Sequence, residues 1–254
     1  MLNLHFLYLS KKIMRNILLT LALLVLFSSC NKNKEKSDFF FKSALAKKEN
    51  KDFFGALTDY NKAIELDPES ATSYHNRGLV KNDLKDYTGA ISDLNKSIQL
   101  QPNQTLGFTN RGLVHHRLKD YNKAIADFTK ATEVNPFLPD AYWYMGLSRY
   151  NLGDYDVAII AWSKAIDQSW LQEDVEFLMK NGIPIPMFND IRQQKKRLVD
   201  CYYMRAITYL DKQKQYNNAC KDFRELSTTL AGYSSAYLAP HQKLKLQEQL
   251  KLCN

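Results

Sequence analysis

Three arginines each precede an aspartate at a nearly constant distance: Arg77 and Asp93, Arg111 and Asp127, Arg205 and Asp222. A guanidinium and a carboxylate make bidentate, charge-assisted hydrogen bonds, so such a set supports two kinds of chemistry. Either the partners satisfy each other inside the protein, or the arginines are presented to an acidic ligand. The structural pair is the favoured reading, because polar groups near a core are usually bonded to one another. No catalytic constellation accompanies them: the chain has no H-E-x-x-H, no paired C-x-x-C, no G-x-S-x-G and no G-x-x-x-x-G-K. His115 and His116 are adjacent, so on a helix they point about 100° apart and are poorly placed to share a metal. The residues predict binding rather than turnover, with no catalytic residue, no metal and no cofactor.

The elements that position these residues recur. Asn-Arg-Gly-Leu-Val stands at 76–80 and again at 110–114, 34 residues later, and the period extends over four units. Aromatics fall at Phe40, Tyr74, Phe108 and Tyr142, and small residues at Ala44, Gly78, Gly112 and Gly146. A second aromatic column, Phe53, Tyr87, Tyr121 and Tyr155, precedes Ala56, Ala90, Ala124 and Ala158. Large apolar residues follow at Tyr60, Leu94, Phe128 and Trp162, and prolines close the first three units at Pro68, Pro102 and Pro136. Apolar spacings of three and four predict two helices per unit, joined at Lys51-Asp52, Lys85-Asp86, Lys119-Asp120 and Gly153-Asp154. Unit four has Met145 and Ala161 where the arginine and aspartate stand, so the pair is lost as a unit, and unit one has Ser43 against Asp59.

This pattern resembles the tetratricopeptide repeat over residues 37 to about 168. The resemblance implies an all-α fold, a right-handed superhelix or α-solenoid, to which this sequence adds an irregular insertion and a C-terminal capping helix. It also implies a concave groove lined by the first helix of each unit. Carried over position by position, the groove residues are Phe41, Leu45 and Lys48; His75, Leu79 and Asn82; Thr109, Leu113 and His116; and Trp143, Leu147 and Tyr150, flanked by Asn76 and Asn110. Apolar seats beside amides and imidazoles suit an extended peptide. The family's carboxylate clamp is rejected: Asn76 fits one of its places, but Phe41, Leu45 and Leu106 stand where it needs Lys and Asn.

Lys11, Lys12 and Arg15 precede an apolar run from Ile17 to Phe27, then Ser28-Ser29-Cys30, which predicts a signal segment over 1–29 with Met14 as the natural initiator. Leu26-Phe27-Ser28-Ser29-Cys30 resembles the lipobox of bacterial lipoproteins, which implies lipidation at Cys30 and a membrane anchor. Asn31, in place of aspartate, points to the outer membrane, on its periplasmic side or surface. Residues 30–37 read as a polar tether. Removing the three basic residues of the signal lowers the net charge from +8 to +5, too mild a balance to argue for nucleic acid.

After four units over 38–168, an insertion at 169–199 carries a proline loop at Gly182 to Pro186, with a short helix at 171–181 before it and a basic helix from about Asn189. A degenerate fifth unit and a capping helix occupy 200–254. The fifth unit has one extra residue between its helices. His241 to Leu252, with Leu244, Leu246, Leu250 and Leu252, reads as the cap. In an oxidising compartment Cys220 and Cys253 are placed to pair, leaving Cys201 as a buried thiol, the alternative being three reduced, buried cysteines. Three functions follow in order: an envelope adaptor for a protein or peptide; a glycan or peptidoglycan binder stacking on Trp143, Tyr150 and Tyr203; and an enzyme using Asp174 and Glu176 of the insertion. The oligomeric state is not encoded legibly.

Overall fold

The computed structural model describes residues 14, 32–168, 188–227 and 240–253, with side chains from 196 and from 242 in the last two segments. Every regular element among them is helical, and none of these helices is long and apolar enough to cross a membrane. The chain forms two compact units, Met1–Pro102 and Asn103–Asn254. The first holds α1 (residues 32–49), α2 (Phe53–Leu66), α3 (Ala71–Asp83) and α4 (Tyr87–Leu100). The second holds α5 (Thr105–Arg117), α6 (Tyr121–Val134), α7 (Pro139–Leu152), α8 (Tyr155–Asp167), α9 (Phe188–Ile207), α10 (Tyr216–Ser227) and α11 (Pro240–Leu252). Consecutive helices pair as hairpins: α3 on α4, α5 on α6, α7 on α8 and α9 on α10.

One left-handed turn residue makes each of the first four hairpins. Lys51, Lys85 and Lys119 turn the chain at φ of 62°, 65° and 61°, and Gly153 does so at 86°. With that left-handed residue in place, the next N–H folds back over the last turn of the first helix, from Asp52 to the Lys47 carbonyl and from Asp86 to that of Lys81, each 2.8 Å. The same aspartates then start the second helix, accepting from the N–H of Gly55 and Gly89 at 2.9 Å. At Asp52 and Asp86 the two-residue Lys-Asp turn thus ends one helix and caps the next, whereas Asp120 and Asp154 make no side-chain cap bond.

Packing follows the columns. Ala56, Ala90, Ala124 and Ala158, with Tyr60, Leu94, Phe128 and Trp162, are all fully buried. The small column lets the helices close up: a Cβ on Gly112 would lie 2.8 Å from the Phe128 ring, and one on Gly146 would lie 2.4 Å from Trp162 Nε1.

The structure departs from the sequence expectations in four places. Residues 32–37 are helical rather than an extended tether: Ser37 is buried and donates to the Ala63 carbonyl at 2.8 Å, which extends α1 backward over α2. The boundary at 199/200 falls inside α9, because the basic helix of the insertion and the first helix of the fifth unit are continuous. The extra residue of the fifth unit is absorbed as a π turn at Thr208–Lys212. In α11, Leu246 is buried and Leu250 packs on the core of the fifth unit, whereas Leu244 and Leu252 face solvent at 59% and 78% exposure. The short helix and proline loop expected over 171–186 lie outside the described residues.

Candidate binding surface of the inner helices

Each of the three arginines is held by its aspartate, and two of them by the preceding hairpin as well. Arg77 donates through Nε to Asp93 Oδ2 at 2.8 Å, through Nη2 to Asp93 Oδ1 at 2.6 Å, and through Nη1 to Asn61 of α2 at 2.8 Å. Arg205 repeats this with Asp222 at 2.8 and 2.7 Å, while its Nη1 reaches Ser163 of α8 at 2.8 Å. Arg111 pairs with Asp127 at 2.9 and 2.6 Å. Arg77 and Arg205 therefore tie their own hairpin to the preceding one, and their planes lie over Tyr74 and Tyr202. Their donors are committed inside the fold and are not free to bind an acidic ligand.

A basic column four residues further on went unrecognised in the sequence. Lys81 lies 2.8 Å from Asp93, and His115 lies 4.0 Å from Asp127. In the first repeat Lys47, with Ser43, bonds Asp59 at 2.5 and 2.6 Å, which explains why that unit dispenses with the arginine. Burial raises the Asp59 carboxyl's pKa, but the bonds from Lys47 and Ser43 outweigh it and hold the group below its ordinary value. The regular spacing of Lys47, Lys81 and His115 was the available signal.

The inner-face residues divide by burial. In the first compact unit, Asn76, Leu79 and Asn82 of α3 are half-buried and Leu45 of α1 is exposed. His75 is only 6% exposed, and burial, helped by the charge of Lys48, lowers its pKa. Phe41 packs edge-on against Tyr60. In the second compact unit, Thr109, Asn110, Leu113 and His116 of α5 and Leu147 and Tyr150 of α7 are half-buried. Ser148 spends its hydroxyl hydrogen on the Tyr144 carbonyl at 2.8 Å and lies 2.9 Å from His116 Nδ1. With the hydroxyl hydrogen on that carbonyl, the tautomer that fits has its proton on Nδ1, donating to Ser148 Oγ, and Nε2 of His116 as an acceptor. Burial, reinforced by Arg117, lowers the pKa of this imidazole and favours its neutral form.

Trp143 is a correction. It is 7% exposed, packed on Trp162 and covered by Arg197 of α9, which bonds Asp140 at 3.0 Å and the Tyr144 hydroxyl at 2.8 Å. Tyr203 is likewise 7% exposed, and Tyr150 leans on Tyr155 and Trp162. The stacking platform for a glycan expected from these three rings is therefore absent: two are core residues and the third is engaged. Arg197 carried no sequence signal, since its partners lie 57 and 53 residues away.

Cys220 and Cys253 are joined by a disulfide with Cα atoms 5.4 Å apart, fastening α11 to α10, and Cys201 is a fully buried free thiol. Among the described residues no cluster of His, Cys, Asp or Glu could hold a metal. Cys30, Asp174 and Glu176 lie outside the described residues.

Family models for the tetratricopeptide repeat match residues 45–83, 71–104, 106–138 and 140–169. Residues 45–169 thus carry tetratricopeptide repeats, and every regular element among the described residues is helical. Among solved structures it is similar to the MamA protein, at 21% identity over 81% of this chain and 97% of that one, with a TM-score of 0.62. MamA from Desulfovibrio magneticus RS-1 is similar at 16% identity, over 78% and 97% of the two chains, with the same TM-score of 0.62. YrrB, described as a TPR protein with an unusual peptide-binding site, is similar at 19% identity, over 87% and 97%, with a TM-score of 0.60. No curated protein matches the sequence.

Proposed function

We propose that the chain is a protein-interaction scaffold that binds a protein or extended peptide on its inner helices, and that a lipid on Cys30 holds it at the cell envelope, the outer membrane being favoured. The observation that carries the binding reading is the set of half-buried inner-face side chains left over once the core is filled. In the second compact unit Leu113 and His116 on α5 and Leu147 on α7 offer apolar seats beside a polar group, and in the first unit Leu79 on α3 offers a seat of its own. The acceptor Nε2 of His116 suits a backbone N–H of such a peptide. The anchor rests on the sequence Leu26-Phe27-Ser28-Ser29-Cys30 after its basic and apolar run. An anchored scaffold gains affinity for a second contact through effective concentration, without catalysis.

Two measurements test this. A photo-crosslinking residue at Leu147, and in a second variant at Asn82, is expected to capture one dominant protein in cells expressing the chain; repeated capture of none, or of glycan alone, refutes the scaffold. Trp143 is unsuitable for the probe because it is buried. The mass of the N-terminal peptide is expected to show acyl chains on Cys30, and Cys30→Ser is expected to leave the membrane fraction.

A further inference from the structure

Phe39 occupies a position that elsewhere in the chain is small and buried. Its counterparts are Ser73 at 1% exposure, Gly107, which is buried, and Ala141 and Cys201 at 0%, whereas Phe39 itself is 68% exposed. The same holds seven residues later, where Val80, Val114, Ser148 and Thr208 are buried and Ala46 is exposed. Within each compact unit such positions form the seam against the preceding hairpin: Val80 clusters with Ala56 and Tyr60, Ala141 with Ala124 and Phe128, and Cys201 with Ala158 and Trp162. Among the described residues α1 has no preceding hairpin, so its seam is an open end face. Terminal repeats need a polar outer face, and this one carries a phenylalanine.

The charges beside it point to the occupant. At about 100° per residue, Lys32, Lys36, Lys42 and Glu35 fall within roughly 60° of Phe39 on the helix, and all are exposed. Two copies meeting about a twofold axis would bring the same three lysines together, which opposes self-pairing. A surface of anionic phospholipid headgroups complements the lysines and takes an aromatic ring at its apolar boundary. Position agrees with chemistry. Because α1 is already helical at residue 32, only Asn31 separates it from Cys30 in the sequence, a reach of about 7 Å over two chain steps. This rests on the anchoring reading proposed above.

We infer that the end face of α1, with Phe39 between Lys32, Lys36 and Lys42, docks on an anionic membrane surface and fixes the orientation of the repeats above it. The test uses the purified full chain mixed with vesicles of phosphatidylglycerol and phosphatidylethanolamine, carrying p-benzoylphenylalanine at position 39 or, as a control, at position 54 on α2, which is 74% exposed but outside this face. After irradiation, lipid adducts on each peptide are measured by mass spectrometry, and acylation of Cys30 is read in the same sample. The expected result is an adduct yield at 39 at least about fivefold above that at 54, falling about fivefold with each lysine changed to glutamine and further on vesicles of phosphatidylcholine alone. Equal yields at the two positions, or a crosslink between two copies through position 39, would overturn the docking. Adducts at 39 with unmodified Cys30 would support the docking and sink the anchor; acylated Cys30 with no preference for 39 would do the reverse.

Discussion

Replacing Gly146 with alanine opposes two effects of known size. Alanine in place of glycine inside a helix is worth about 1 kcal/mol. Against it stands the close approach of α7 to α8, where the new methyl would lie 2.4 Å from Trp162 Nε1 and 2.6 Å from Cδ1. Restoring van der Waals contact requires the ring to retreat by about 1 Å, but Trp162 is fully buried, with Trp143 and Tyr150 centred 6.1 and 6.0 Å away. Overpacking of this kind costs about 1 to 3 kcal/mol, and the wedged ring places it at the upper end. We expect Gly146→Ala to destabilise by about 2 kcal/mol. Gly78→Ala is the contrast: its nearest neighbour is the flexible Leu94 at 3.1 Å, and the first repeat already carries Ala44 in this column. That variant is expected to be neutral or to gain up to about 1 kcal/mol. Urea unfolding followed by circular dichroism measures both, with tryptophan fluorescence added for the second compact unit, where all three tryptophans lie. If Gly146→Ala is as stable as Gly78→Ala, the close-approach account of the small column is wrong.

Asp222→Ala leaves the guanidinium of Arg205, 15% exposed, without its bidentate partner and is expected to cost about 3 kcal/mol. Arg205→Met with Asp222→Ala copies the Met145 and Ala161 of the fourth repeat, and thermal denaturation is expected to show the double variant more stable than the single one. Burial lowers the pKa values of His75, His115 and His116 below the usual value of about 6.5. Between the lowered values and 6.5 the unfolded chain binds protons that the folded chain refuses, so stability is expected to fall as pH drops below about 6.5. Melting temperatures from pH 7.5 to 5 check this; a flat profile, or one unchanged in His75→Gln, contradicts it. Reducing the Cys220–Cys253 bridge, which spans 33 residues, is expected to destabilise the end of the second compact unit by about 3 to 4 kcal/mol. Alkylation before unfolding is then expected at these two cysteines and not at Cys201, which is fully buried and whose thiol pKa burial raises far above its ordinary value.

Much of this architecture is local and periodic, and to that extent the sequence by itself determined it. The two helices of each repeat and the small and aromatic columns recur every 34 residues over four units, the Lys-Asp turn over three and the arginine-aspartate pair over two, because each hairpin solves the same packing problem with the same few side chains. What joins distant parts had no such rhythm. The burial of Trp143 under Arg197, the continuation of the insertion into α9, the bonds of Arg77 and Arg205 to the preceding hairpin, and the open seam at Phe39 were decided only in three dimensions. The physical reason is that the periodicity of one helix tells which side chains turn inward, but exposure depends on what is packed against that side. Phe39 and Ala141 hold the same place in their repeats, and only the hairpin in front of Ala141 makes one of them core.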